Sequence, residues 1–339
     1  MAGHGKSTYG LGALLLVCAL LAGSLPTAQA ADVPAIQGAG AIVVDFDTGA
    51  VYCEKDADVA RPVASMTKLM SLYLVFEEIA AGNLSPDSYL TASQYAADIS
   101  NDPVYSGHEG LEPGGKYRVD DLLRLITTAS CNGSVIVLAE HIGGGSEEVF
   151  VERMNDKATQ WGIEARFADC CGFVSEGNAV TPRAMATIAR RIITDFPQIL
   201  DYTSLVSTEF QGKTFSTTNT LMREGTVEGI DGLKSGTTKA AGYCFTGTAQ
   251  RHGRRIISVV LNAPSDSARM ADTQALLEYG FACRVAWEIG RIEEKAHRSR
   301  TLVSPVLAPR WEALSSRCLL TPPFLVYLAG PVCVETTLG

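Results

Sequence analysis

A chain of 339 residues with 46% hydrophobic content can bury one large core and carry a small appendage. Its formal charge of -9 and the absence of any Lys/Arg-rich run exclude a nucleic-acid partner, which needs phosphate-neutralising cations. Nine cysteines at irregular spacing, with no Cys-x-x-Cys, read as buried thiols and exclude a zinc site, so neither metal nor cofactor is expected.

Residues 1–30 read as a signal peptide. His4 and Lys6 form a polar start, residues 11–22 an apolar run too short for a relaxed bilayer span, and Ala28-Gln29-Ala30 a small-x-small cleavage site. The cut falls before Ala31. Cys18 follows Val17 rather than a small residue, which argues against a lipid anchor there, so export to the periplasm or cell envelope is expected. Gly5-Lys6-Ser7-Thr8 imitates a phosphate-binding loop but lacks its upstream glycine.

Residues 41–46 and 50–53 form β-rich runs joined by Asp47-Thr48-Gly49, a hairpin. From Ser65 the apolar residues Met66, Leu69, Met70, Tyr73, Phe76 and Ile79 recur at helical spacing until Gly82-Asn83 stops them. Helical stretches follow at 120–126, 134–142, 147–161 and 182–193. Strand signals return at 243–249 and 256–261, and a last helix covers about 267–279. Strands at both ends with helices between them predict an α+β domain whose sheet joins distant segments. Beyond about residue 286 charged residues and scattered prolines replace these patterns.

Three short motifs stand in order: Ser65-Met66-Thr67-Lys68, Ser130-Cys131-Asn132 and Lys234-Ser235-Gly236-Thr237. A serine hydroxyl needs a base within hydrogen-bond reach, and Lys68, three residues on along a helix, lies on the same face. Lysine acts as a base only where burial or a second cation lowers its pKa, and Lys234 is the candidate cation. Ser65 at a helix start also places its acyl oxyanion near unpaired backbone N–H groups. The second motif follows a helix in the loop-like stretch 127–133, where Ser130 can relay a proton to a leaving amine and Asn132 can hold a substrate amide. Cys131 is expected to point into the core. In the third, small residues let a substrate backbone lie along a strand edge, and a free carboxylate would seek Lys234, Ser235 or Thr237.

Together these motifs resemble the low-molecular-mass penicillin-binding proteins that are serine-type D-alanyl-D-alanine carboxypeptidases. The likeness extends through residues 61–70, 227–236, 242–245, 181–185 and 219–222, and spans about 41–281. It implies a penicillin-recognising, β-lactamase/transpeptidase-like fold: an antiparallel sheet flanked by helices, with a mostly helical subdomain. It implies removal of the terminal D-alanine of peptidoglycan stem peptides in cell-wall remodelling, and inhibition by β-lactams. By the same resemblance Ser65 is the nucleophile and Lys68 the base. Ser130 and Asn132 relay the proton and contact the amide. Lys234 and Ser235 take the carboxylate, Gly236 and Thr237 complete the substrate strand, and the N–H groups of Ser65 and Thr237 form the oxyanion hole.

Two departures stand out. Ser235 replaces the usual threonine, and the relatives' β-rich second domain and amphipathic anchor have no counterpart in the short tail of residues 286–339. Its longest apolar run, 324–329, is hemmed by prolines, so no membrane anchor is expected. Residues 31–285 are therefore read as the catalytic domain. A class A β-lactamase would need a glutamate loop that the sequence does not show; an α/β-hydrolase would need Gly-x-Ser-x-Gly. A non-catalytic cell-wall binder is countered by the intact Ser65 and Lys68.

Overall fold

Gly40–Asp45 (β1) is buried along its whole length, with Ala41 and Val43 in one core and Ile42 and Val44 in another. A strand covered on both faces shows a continuous apolar run rather than alternation, which is how 41–44 reads in the sequence. The computed structural model describes residues 32–283 except 106 and 174–176. The expected signal peptide and tail lie outside these residues.

Val51–Lys55 (β2) completes the predicted hairpin. Three short ribbons follow: β3 (Tyr89–Thr91) with β4 (Lys116–Arg118), β5 (Ala165–Arg166) with β6 (Ala179–Val180), and β7 (Ser207–Phe210) with β8 (Lys213–Ser216). The strands β9 (Ile230–Thr238), β10 (Gly242–Arg251) and β11 (Arg254–Ala263) finish a five-stranded antiparallel sheet in the order β2-β1-β11-β10-β9. β1 pairs with β11 from Gly40↔Leu261 to Asp45↔Ile256, so the two ends of the domain close the sheet. β9, which carries Lys234, stands at its edge.

The helices are α1 (Lys68–Ala80), α2 (Gln94–Asn101), α3 (Val119–Ala129), α4 (Asn132–Ile142), α5 (Glu147–Trp161), α6 (Pro182–Asp195), α7 (Ile199–Thr203), α8 (Thr220–Glu224) and α9 (Asp266–Ala282). α9 covers one face of the sheet, where Leu276 and Leu277 join Ala41, Val43, Phe245 and Val260. The opposite face packs against α1, α6 and the other helices through Ile42, Val44, Ile257, Val259 and Leu261. Local chemistry sets several helix starts: the side chains of Ser93, Thr181 and Ser265 accept the N–H groups of Ala96, Ala184 and Ala268. Pro182 adds a pre-set φ at the first position of α6.

The architecture is the antiparallel, helix-flanked α+β arrangement expected, with two local differences. Ser65 does not open the α-helix; it lies in a 3₁₀ turn, Ala64–Thr67, and α1 begins at Lys68. The expected loop 127–133 contracts to Ser130 and Cys131, because α3 runs on to Ala129 and α4 starts at Asn132. Asn132 through Ala139 are all buried, so α4 has no polar face to mark its start. The described cysteines are free thiols, all buried except the partly exposed Cys283.

Candidate active site

Ser65 stands on a turn gripped from two sides by glycines. Ala64 takes a left-handed φ of 48°, and Met66 N–H closes the turn onto Val63 O at 3.2 Å. A Cβ at Gly236 would lie 2.5 Å from Val63 O and 3.0 Å from Ser65 N, so only glycine lets β9 pass this close. A Cβ at Gly172 would meet Ala64 O at 1.9 Å, and its φ of +86° also excludes most side chains.

Lys68 Nζ lies 2.8 Å from Ser65 Oγ and donates to Cys171 O, also at 2.8 Å. Its side chain is wholly buried, and that desolvation holds its pKa below the ordinary lysine range. Lys234, 2% exposed, donates to Ser235 O at 3.0 Å. Burial first, then the charges of Lys68 and Arg269, push its pKa well down. The strand-edge lysine is therefore an internal amine near Lys68 rather than a solvated one.

Ser130 caps α3 in the left-handed region, φ 63° and ψ 29°. Its buried Oγ has no hydrogen-bond partner among the described residues, so its proton is uncommitted. Asn132 begins α4, and its carbonyl accepts the Cys171 thiol at 3.5 Å. Cys131 is fully buried, as expected. Ser235 Oγ donates to Thr218 Oγ1 at 2.7 Å, and Thr218 N–H donates to Thr128 O at 3.1 Å, two residues before Ser130. Thr237 Oγ1 accepts from Arg269 Nη1 at 2.9 Å. The fold thus joins the three motifs: Gly236 against the Ser65 turn, Cys171 between Lys68 and Asn132, and Thr218 between Ser235 and the end of α3.

Four supports escaped sequence reading. Asp169 folds the turn that presents Cys171 O: its Oδ1 accepts the N–H groups of Cys171 (2.7 Å), Gly172 and Phe173, and its Oδ2 accepts Asn178 Nδ2 at 2.6 Å. Arg269 ties β9 to β10 by donating to Gly236 O and Cys244 O at 3.2 Å. Glu109, fully buried, accepts Ser134 N–H at 2.8 Å and so caps α4 from a distant loop. Burial raises its carboxyl pKa against those hydrogen bonds. Thr218 is the fourth. Asn219, beside it, shows a helix-cap pattern, but no local signal singles out its neighbour.

A buried serine–lysine pair, a free hydroxyl, a second internal amine and an edge strand can perform acyl transfer to serine on a substrate that ends in a carboxylate.

The sequence profile of the D-alanyl-D-alanine carboxypeptidase family matches residues 27–265. D-alanyl-D-alanine carboxypeptidase DacF of Bacillus subtilis (strain 168) is 30% identical over 280 residues, covering 81% of this chain and 70% of its own. DacA of Escherichia coli (strain K12), described in the same words, is 31% identical over 256 residues, 74% of this chain and 62% of its own. Penicillin binding protein 5 from Haemophilus influenzae superposes with a TM-score of 0.70 at 30% identity, covering 74% of this chain and 73% of that one. Penicillin-Binding Protein D2 from Listeria monocytogenes, solved in an ampicillin-bound form, gives 0.64 at 30% identity, covering 74% and 100%.

Proposed function

This chain belongs to the D-alanyl-D-alanine carboxypeptidase family, and from that premise we propose that it removes the terminal D-alanine of peptidoglycan stem peptides through an acyl-enzyme on Ser65. The observation that carries the reading is the 2.8 Å approach of Lys68 Nζ to Ser65 Oγ in a site that strips Lys68 of water.

Neutral Lys68 takes the Ser65 proton as Oγ bonds to the carbonyl carbon of the penultimate D-alanine. The oxyanion is held by the N–H groups of Ser65 and Thr237. As the C–N bond breaks, Ser130 passes a proton to the leaving amine and free D-alanine departs. Water then attacks the ester, regenerating Ser65 and releasing the shortened peptide. Lys234 and Ser235 bind the terminal carboxylate, Asn132 holds the peptide amide, and Gly236 and Thr237 line the strand edge beside it. A β-lactam follows the same first step but keeps its leaving group tethered, which leaves the acyl-enzyme in place. Penicillins are therefore expected to inhibit, as the ampicillin-bound relative supports. The signal-like residues 1–30 support export to the periplasm or envelope. No helix among the described residues is long and apolar enough to cross a membrane.

Incubation with labelled penicillin and, separately, with a peptide ending in D-Ala-D-Ala tests this. Stable labelling with release of D-alanine is expected; rapid penicillin hydrolysis would make the protein a β-lactamase, and neither reaction would leave a cell-wall binder.

A further inference from the structure

Thr218 stands outside all three motifs yet bonds to Ser235 of the third and to Thr128 in the helix that leads into the second. Its backbone is fixed to the end of α3 through Thr128 O. The residues beside it are fixed too: Thr217 O accepts Arg223 Nη1 at 3.3 Å, and Asn219 Oδ1 accepts Met222 N–H at 3.2 Å. Its hydroxyl, half-buried, accepts the Ser235 proton at 2.7 Å. A hydroxyl has one proton and two acceptor sites, so Ser235 has committed its only donor to Thr218.

That commitment matters because residue 235 is serine. A β-branched threonine there would have its χ1 restricted by its own methyl group; serine has no such restriction and needs an external partner to hold its hydroxyl toward the cleft. We propose that Thr218 is a positioning residue of the carboxylate site, a proposal that rests on reading Ser235 as a ligand of the substrate's terminal carboxylate. Before substrate arrives, Ser235 donates to Thr218 and is held in place. When the carboxylate enters, both hydroxyls rotate: Thr218 donates to Ser235 Oγ, and Ser235 donates to the carboxylate. No proton changes owner. The second hydrogen bond polarises the first, which strengthens the contact to the anion.

The test compares kcat/KM for one acylated tripeptide ending in D-Ala-D-Ala with that for its C-terminal amide, using the full chain and its variants. Wild type is expected to favour the acid, and S235A to lose most of that preference. T218V should lower the acid-to-amide ratio about three- to tenfold, the range of one neutral hydrogen bond. T218S should restore it, and T218V added to S235A should lower it no further. In an S235T background, where χ1 is restricted by the side chain itself, T218V should cost less than in wild type; should T218V fold poorly, T218A is measured in both backgrounds in its place. A fall on both substrates with an unchanged ratio, or an equal fall in the S235A background, overturns the role of Thr218. If wild type shows no acid preference, or S235A keeps it, the carboxylate reading of Ser235 itself is overturned.

Discussion

Lys68 and Lys234 are buried amines whose hydrogen-bond partners are a hydroxyl and two backbone carbonyls rather than carboxylates. Both pKa values lie below the ordinary lysine value of 10.5. Between the depressed value and 10.5 the unfolded chain binds more protons than the native one, so this pair makes stability rise with pH across that window, and native stability is reduced below it. Lys234→Met should flatten that rise in denaturant titrations at several pH values. It should also stabilise the fold at neutral pH by about 1–4 kcal/mol, since a desolvated amine is replaced by an apolar side chain of similar length, while peptide turnover is lost. Destabilisation by Lys234→Met would show that the amine is compensated in the free enzyme. Catalysis follows the same sign. Acylation should speed up as pH rises and Lys68 loses its proton. Lys68→Arg, which cannot deprotonate, should slow acylation at least about a hundredfold with its thermal melt preserved; a near wild-type rate would remove Lys68 from the role of base.

At the scale of elements, the turn that carries Ser65 depends on what is missing from its neighbours. Gly236→Ala puts a methyl 2.5 Å from Val63 O, a backbone atom that cannot swing aside. β9 must shift from the turn, so penicillin acylation should collapse while circular dichroism keeps its native shape; normal labelling would mean that the turn tolerates the shift. Much of this level is legible in the sequence. Residues 66–79 show helical spacing although α1 is buried on every side from Lys68 through Phe76, and 243–249 and 256–261 are rich in aromatic and β-branched residues because β10 and β11 lie inside a layered domain. The motif residues are legible because short spacings hold their chemistry together. What escapes reading is the remote support. Arg269, Glu109 and Thr218 act on groups brought near only by tertiary folding, and Asp169, although it folds its own turn, is a polar loop residue of the kind that looks the same in sequence whether solvated or buried. The junction at Ser130 was blurred for a related reason: α4 is buried from its first turn and has no polar face to announce it.

For the molecule as a whole, the pairing of β1 with β11 and the cover by α9 complete the sheet and both cores by Ala282. A chain ending at Ala286 is therefore expected to fold and to keep penicillin labelling at the wild-type rate; loss of labelling in a folded truncation would assign the remaining residues a part in the site.

The central claim is that an acyl group passes through Ser65. It is tested most directly by peptide mass analysis after reaction with penicillin: the expected result is one adduct, on the peptide that carries Ser65, absent from Ser65→Ala. An adduct on any other residue, or one that persists in Ser65→Ala, would contradict it.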